Sequence, residues 1–334
     1  MTLLPSKLFR SFQKTNILVV GDIMIDRYLN GSVDRISPEA PVPVVRLKDA
    51  ENRLGGAANV ALNIKAMGAT PYLCSVIGED ENADQLLKLL PPNGLNPKGV
   101  IRSKQRKTTV KTRVIAQHQH LLRVDTEDTH DLSDEERCQL LDIIKDLLDS
   151  KEIHAILFQD YNKGVLSHKT IHEIILEAIK RDIPTAVDPK FHNFWAYKHV
   201  SLFKPNLKEI RAQVDFPVEI NQTSLDKVAN LIRSKIGSPY ILITLSEHGM
   251  FISNEQGSEI IPTQPRAVAD VCGAGDTVIS VVTLGLAMGL DIKDIAKLAN
   301  LAGGQVCEKV GVVPVDVIAL QKEYEEFLLL PDVK

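Results

Sequence analysis

The sequence predicts an α/β fold: a mostly parallel β-sheet flanked by helices on both faces, with a small β-sheet projecting from it. Three observations carry this. Short runs rich in β-branched residues alternate with longer amphipathic stretches, as repeated βα units require. The 334 residues, 44% hydrophobic, suffice to bury a full core. Two regions, 41–47 and 108–124, break the rhythm and fit no crossover between parallel strands.

In chain order, the β-branched runs place strands at 16–20, 70–76, 155–159, 185–188, 202–204 and 240–244. Helical periodicity covers 57–67, 80–89, 133–150, 168–181 and 225–236, several with a Ser, Asp or Glu near the start. Residues 41–47 read as an edge strand with Pro at its ends, and 108–124 alternates at period two. Both are expected to be antiparallel and to form a lid, drawn from about 23–54 and 104–126. The Pro-rich stretch 91–97 is a loop, and no internal repeat is present.

Composition excludes several classes. A formal net charge of −4 argues against a chain that wraps nucleic acid or coats an anionic membrane. The longest apolar stretch, 278–290, is broken by Ser280, Thr283, Gly285 and Gly289 and is too short to cross a bilayer. Arg10 and Lys14 precede only a short apolar run with no cleavage site after it. Cysteines 74, 138, 272 and 307 lie far apart without a Cys-x-x-Cys pair, so a reducing, cytoplasmic setting is expected and no disulfide framework or structural zinc. His118 and His120 share a strand face but lack a third ligand.

Chemistry concentrates at Asp270-Val271-Cys272-Gly273-Ala274-Gly275-Asp276, which runs into the apolar segment. Two glycines let the backbone turn sharply while N–H groups point outward at a helix start, a site for an anion such as a phosphoryl group in transfer. Asp276 then lies in the first turn, where residue type and spacing leave two readings open: a helix cap, or a general base beside an anion hole.

This segment resembles the C-terminal motif of ribokinase-like, pfkB-type sugar kinases, and Gly55-Gly56-Ala57-Ala58-Asn59-Val60-Ala61 resembles their N-terminal one. Gly21-Asp22-Ile23-Met24-Ile25-Asp26 and, most specifically, Arg35-Ile36-Ser37-Pro38-Glu39-Ala40-Pro41-Val42-Pro43-Val44 narrow the resemblance to the heptose 7-phosphate kinases, usually the first half of a bifunctional kinase and adenylyltransferase. Asp160-Tyr161-Asn162-Lys163-Gly164, Val187-Asp188-Pro189-Lys190 and Pro205-Asn206-Leu207-Lys208-Glu209 extend the match, which spans about residues 15 to 320.

The resemblance implies ATP-dependent phosphorylation of the anomeric hydroxyl of D-glycero-D-manno-heptose 7-phosphate. It makes Asp276 the base and the N–H groups of Gly273, Ala274 and Gly275 the anion hole. Asn206, Leu207, Lys208 and Glu209 match the element near the ATP phosphates and Mg²⁺, with Asn206 and Glu209 reaching the metal through water; bare sequence reads them as an Asn-started helix. Thr244, Glu247 and Gly249 match the nucleotide-side loop, and Asn300 with Gly303 the adenine side. Asp26, Gly55, Gly56 and Asn59 match the sugar site, while Asp22 is read as shaping a strand end. Lys163, Lys190, Arg106 and Arg123 are candidates for the second phosphate, against the alternative of solvated surface charge.

Three positions depart from the family pattern. Cys272 replaces a hydroxyl residue, which bears on a monovalent-cation site near Asp270. Asn162 replaces a Gly and must accept a left-handed backbone. Lys204 replaces a Thr and adds charge near the phosphates. No Walker-type loop, Gly-x-Gly-x-x-Gly fingerprint, His-Glu-x-x-His pattern or His-x-Gly-His motif occurs. The expectation is one kinase domain over 1–334 without an adenylyltransferase half, acting on a small sugar phosphate and dimerising through the lid.

Overall fold

A computed structural model describes residues 5–117 and 119–329; His118 lies outside the described residues. Helix α1 (Pro5–Phe12) leads into β1 (Asn16–Gly21), which passes through Asp22 into a long ribbon of β2 (Ile23–Ile36) and β3 (Pro43–Gly56). Helix α2 (Ala57–Ala66), β4 (Thr70–Gly78), α3 (Glu81–Leu89) and β5 (Val100–Ser103) follow in the body of the molecule, then the hairpin β6 (Val110–Ala116) and β7 (Gln119–Thr126). The βα alternation resumes with α4 (Asp134–Ser150), β8 (Ala155–Gln159), α5 (His168–Lys180), β9 (Thr185–Asp188), β10 (Leu202–Phe203), α6 (Leu207–Arg211), α7 (Gln222–Ile236) and β11 (Tyr240–Thr244). A hairpin of β12 (Met250–Asn254) and β13 (Gly257–Ile261) precedes α8 (Ala274–Ala287), α9 (Ile292–Cys307) and α10 (Val317–Leu329).

The main sheet runs β13-β12-β11-β10-β9-β8-β1-β4-β5. It is parallel from β5 to β11, and the β12–β13 hairpin, which the sequence reading did not place, adds an antiparallel edge. Strand alternation divides the core. Ile17, Val19, Ala155 and Leu157 face the layer of α1, α2, α8, α9 and α10; Leu18, Val20, Ile156 and Phe158 face α4, α5 and α7. Helix starts follow the capping residues: Asp80 caps α3, and Ser133 with Glu136 forms a reciprocal capping box on α4. Asn221 caps α7, which therefore opens a turn before the expected residue 225. No helix among the described residues is long and apolar enough to cross a membrane.

The lid is a separate four-stranded sheet in the order β3-β2-β6-β7. Its outer pairs are antiparallel as expected, but β2 and β6 are parallel. The reason is where the strands start: β2 leaves the body through Asp22 after core strand β1, and β6 through residues 104–109 after core strand β5, so both enter the lid in the same direction. Strand β7 is an edge exposed along its whole length.

Strand β1 lies between β4 and β8, the point at which the chain reverses its direction of progress across the sheet. A crevice opens there at the carboxyl ends of the strands, the usual place for ligands in open α/β sheets. Gln159, Asp188 and the start of α8 meet in this crevice.

Candidate active site

Helix α8 starts without a side-chain cap: its N-cap is Gly273, at φ 82°, a left-handed conformation that favours glycine. First-turn N–H groups are thus left without a capping side chain, as an anion hole needs. Asp276 is not the cap. Its carboxylate turns into the crevice, is 7% exposed, and is held by three donors. Asn59 Nδ2 from α2 donates to Oδ2 at 2.7 Å; Gln159 Nε2 at 3.1 Å and Tyr161 Oη at 2.9 Å donate to Oδ1. Burial, aided by the charge of Asp188, pushes its pKa up to about 6 despite the Asn59 and Tyr161 hydrogen bonds and Lys190, which pull the other way. The group is therefore ionised at neutral pH and close enough to its pKa to take a proton. Beside it, two buried acceptors, Asn59 Oδ1 and Gln159 Oε1, have no partner among the described residues.

The sequence does not mark Gln159 or Tyr161 as site residues. The available signal was a lone polar side chain closing the apolar strand Ala-Ile-Leu-Phe-Gln. The loop after it is fastened by Asp22, whose carboxylate accepts the N–H groups of Tyr161, Lys163 and Val165 at 2.8–3.1 Å. Asp22 thus shapes a strand end, as expected. Burial and the neighbouring Asp160 push its pKa up to about 6. Asn162 has φ 54°, so it does occupy the left-handed region where the family has glycine.

A second buried carboxylate, Asp188, lies behind Gln159 at 3.5 Å. Lys204 and Lys190 stand 3.3 and 3.5 Å from it, and Lys190 also donates to Glu209 at 2.7 Å. Burial would raise the Asp188 pKa, but the two cations outweigh it and hold the group ionised. Lys204, with its side chain 2% exposed, is therefore a structural counter-ion and not free charge near phosphates. Lys190 is likewise committed to two carboxylates.

Asn206 and Glu209 form a reciprocal capping box at the start of α6: Asn206 Oδ1 accepts from the Glu209 N–H at 2.8 Å and Glu209 Oε2 from the Asn206 N–H at 2.9 Å. Both the helix-start reading and a metal role survive. With Lys190 on Oε1, each Glu209 oxygen already has a donor and keeps a lone pair, which suits contact with the water shell of Mg²⁺. Among the described residues no three His, Cys, Asp or Glu side chains converge on a direct metal site. Leu207 packs on the core and Lys208 is exposed.

On the lid side, Asp26 is 5% exposed and paired with Arg113 of β6. A Cβ on Gly55 would fall 2.3 Å from Asp26 Oδ2, and one on Gly56, at φ 62°, 2.3 Å from the Asp22 carbonyl. Of the proposed phosphate ligands, Arg106 gives Nη1 and Nη2 to the Lys163 and His130 carbonyls at 2.9 and 3.0 Å, and its buried Nε has no partner among the described residues. Arg123 pairs with Asp125 in the open, its side chain 58% exposed, and Lys163 pairs with Glu127 at 2.7 Å. Lys111, which is not among the phosphate candidates read from the sequence, stands over the Tyr161 ring at 5.3 Å and forms no ion pair among the described residues. Burial lowers its pKa. Its register on β6 puts it opposite Asp26 of β2, and it shares the alternation that had marked 108–124 as a strand.

On the nucleotide side, Thr244 bridges to Asn206 and so ties β11 to the start of α6. Glu247 lies on the surface, 3.6 Å from His248. A Cβ on Gly249, at φ 91°, would meet the Ile261 carbonyl at 2.0 Å, so this glycine serves the close approach of two strands. Asn300 donates to the Pro262 carbonyl at 2.9 Å. Gly303 is buried, and its Cβ would lie 2.9 Å from Val278 and 4.0 Å from the Ala274 carbonyl, so this glycine lets α9 pack closely on the first turns of α8. Asp270 accepts from the N–H groups of Cys272 and Gly311, both at 3.0 Å, and closes the loop before Gly273. Burial, with Asp270 alongside, pushes the Cys272 thiol up to about 11, so it stays protonated.

Residues 14–317 match the family described as pfkB family carbohydrate kinase. The chain is 41% identical over 309 residues to the bifunctional protein HldE of Methylobacillus flagellatus, covering 92% of this chain and 63% of that protein. It is 40% identical to the protein of the same name from Trichlorobacter lovleyi, covering 93% and 64%. The chain thus spans 63–64% of the length of these relatives. Among solved structures, phosphofructokinase-2 from Escherichia coli in complex with potassium superposes with a TM-score of 0.78 at 19% identity, covering 94% of this chain and 99% of that one. Arabidopsis thaliana ribokinase complexed with ribose and ATP gives 0.72 at 16%, covering 92% and 98%. The fold is therefore ribokinase-like.

Proposed function

The chain belongs to the pfkB family of carbohydrate kinases, and on that footing we propose that it transfers the γ-phosphoryl group of ATP to the anomeric hydroxyl of D-glycero-D-manno-heptose 7-phosphate. The observation that carries the reading is the buried Asp276 carboxylate beside an uncapped helix N-terminus and two unpartnered acceptors. A sugar brings several hydroxyls, each a donor and an acceptor, and these acceptors suit it. The heptose assignment rests on the 35–44 motif and on the similarity to the HldE proteins.

Asp276 takes the proton from the attacking hydroxyl while Asn59 and Gln159 orient it. The N–H groups at the start of α8 stabilise charge on the transferred group. ATP with Mg²⁺ would supply the phosphoryl group and neutralise charge on its phosphates. Asp26 and Arg113, with Gly55 and Gly56, border the sugar side, and Lys111 with Lys163 holds the second phosphate. The lid closes over the sugar and excludes water.

The lid also carries exposed Leu47, Leu121, Leu122 and Val124, together with the free edge of β7. An apolar open edge of this kind suits pairing with a second copy, and the working unit is a homodimer. Coupled ATP-consumption assays over a panel of heptose 7-phosphate, fructose 6-phosphate and unphosphorylated sugars test the reading. Turnover with the heptose phosphate is expected; turnover only with another acceptor defeats the substrate assignment, and none with any acceptor defeats the kinase reading.

A further inference from the structure

Among the described residues, Tyr161 makes contacts that the catalytic scheme does not use. Its hydroxyl donates to the base at 2.9 Å. Its ring is approached by two cations from different parts of the molecule: Lys111 Nζ on lid strand β6 at 5.3 Å from the centroid, and Lys190 Nζ from the body at 5.5 Å. Both distances are within the range at which an ammonium group is attracted to an aromatic face. Its backbone N–H is held by Asp22, the single residue between core strand β1 and lid strand β2. Burial raises the Tyr161 pKa well above its ordinary value, with Asp276 and Asp188 adding to it, so the hydroxyl remains a donor throughout the working range.

A carboxylate offers about four acceptor positions. Asn59, Gln159 and Tyr161 fill three in Asp276, and both positions on Oδ1 are taken. The one left, on Oδ2, is where a sugar hydroxyl can be received. We propose that Tyr161 is a positioning residue for this base: it fixes which carboxylate oxygen faces the sugar, and the Lys111 contact couples its placement to the lid.

The inference deepens the kinase reading and rests on it for its catalytic meaning, but its geometry can be tested without turnover. The groups facing Asp276 are Asn59 from α2, Gln159 from β8, Asp188 and Lys190 from β9 and the residues after it, and Tyr161. Of these, the Asn59 amide, the Tyr161 hydroxyl and the Lys190 charge favour the ionised form, and Asp188 opposes it. In protein labelled with ¹³C at the aspartate carboxyls, Asp276 is identified by the signal lost in Asp276→Asn. Tyr161→Phe, which keeps the ring and its packing, is expected to raise the Asp276 titration midpoint by about one pH unit, the size of a lost hydrogen bond to a charged group. The acid limb of kcat should move with it, and kcat near neutrality should fall about tenfold with little change in KM. Lys111→Met should also raise the midpoint, by less in the Tyr161→Phe background than in the wild type.

An unmoved midpoint in folded Tyr161→Phe overturns the positioning role. Equal effects of Lys111→Met in both backgrounds overturn the link to the lid. A wild-type chain that phosphorylates no sugar defeats the kinase reading, while the carboxyl titration still decides whether Tyr161 holds Asp276.

Discussion

Replacing Asp276 by Asn should abolish turnover while changing how stability depends on pH. Burial has moved this carboxyl from 3.8 to about 6. At ~1.4 kcal/mol per pH unit, ionising it in the folded protein is about 3 kcal/mol less favourable than in the unfolded chain. The native state therefore holds this proton more tightly than the unfolded one. The stabilisation it provides is fully present below 3.8 and is lost as pH rises through about 6. Asn has no such dependence, so the stability of Asp276→Asn relative to wild type should rise by about 2 kcal/mol between about pH 4.5 and 7.5. The absolute offset is smaller, because the Asn amide N–H₂ group replaces one carboxylate oxygen and meets either the Asn59 donor or those of Gln159 and Tyr161, and unsatisfied polar groups cost about 1–3 kcal/mol. Taking the difference between two variants cancels Asp22, which has a similar shift. Urea unfolding of both proteins across this range measures the slope, and a coupled assay at neutral pH should show a rate loss of ~10²–10⁴. A difference in stability that is flat with pH, or a rate within tenfold of wild type, would refute the assignment of Asp276 as a buried general base.

Other substitutions probe the surroundings of the base. Lys204→Met removes one of the two cations on buried Asp188 and should destabilise the fold by about 3 kcal/mol in chemical denaturation; a loss under about 1 kcal/mol would mean that Lys190 alone suffices. Gly55→Ala drives a methyl group to 2.3 Å from Asp26 Oδ2, so the sugar KM should rise at least about tenfold while the KM for ATP stays within about twofold. Parallel changes in both constants would place the damage outside the sugar site. Leu122→Glu puts a charge on the exposed lid edge and should shift the mass seen by light scattering from dimer to monomer. An unchanged mass would move the interface elsewhere.

The parallel strands of the body were legible because each is a short apolar run between helical periods, as at 155–159. Asp276 was legible through the resemblance of 270–276 to a family motif; residue type and spacing alone left the helix cap and the general base both open. Residues whose role depends on a distant partner were harder to read. Lys190, Lys204 and Arg106 looked like free positive charge near a phosphate, yet each is tied to carboxylates or carbonyls from other parts of the fold. Nothing local to Lys204 announces Asp188, which lies on the neighbouring strand. Lys111 was the opposite case: it sits in a segment correctly read as an alternating strand, but the partner it faces, Tyr161, is fifty residues away in sequence. The parallel pairing of β2 with β6 likewise depends on where two core strands end, which strand patterning does not encode. Gly303 and Gly249 matched the family's nucleotide positions, but the space around them shows close packing of helices and strands.

The two 14-residue strands β2 and β3 are rooted side by side, where Ile23 pairs with Gly56, and the chain turns back only at their far end. At ~3.3 Å per residue that ribbon is a lever about 45 Å long. A rotation of about 5° at its root, too small to break a backbone hydrogen bond, carries the tip through about 4 Å. Small changes beside Asp22 are thus magnified about tenfold in distance terms at the tip and reach the β7 edge, which lies beside the root half of the ribbon, at about half that amplitude, so that joined lids would have to swing as a pair.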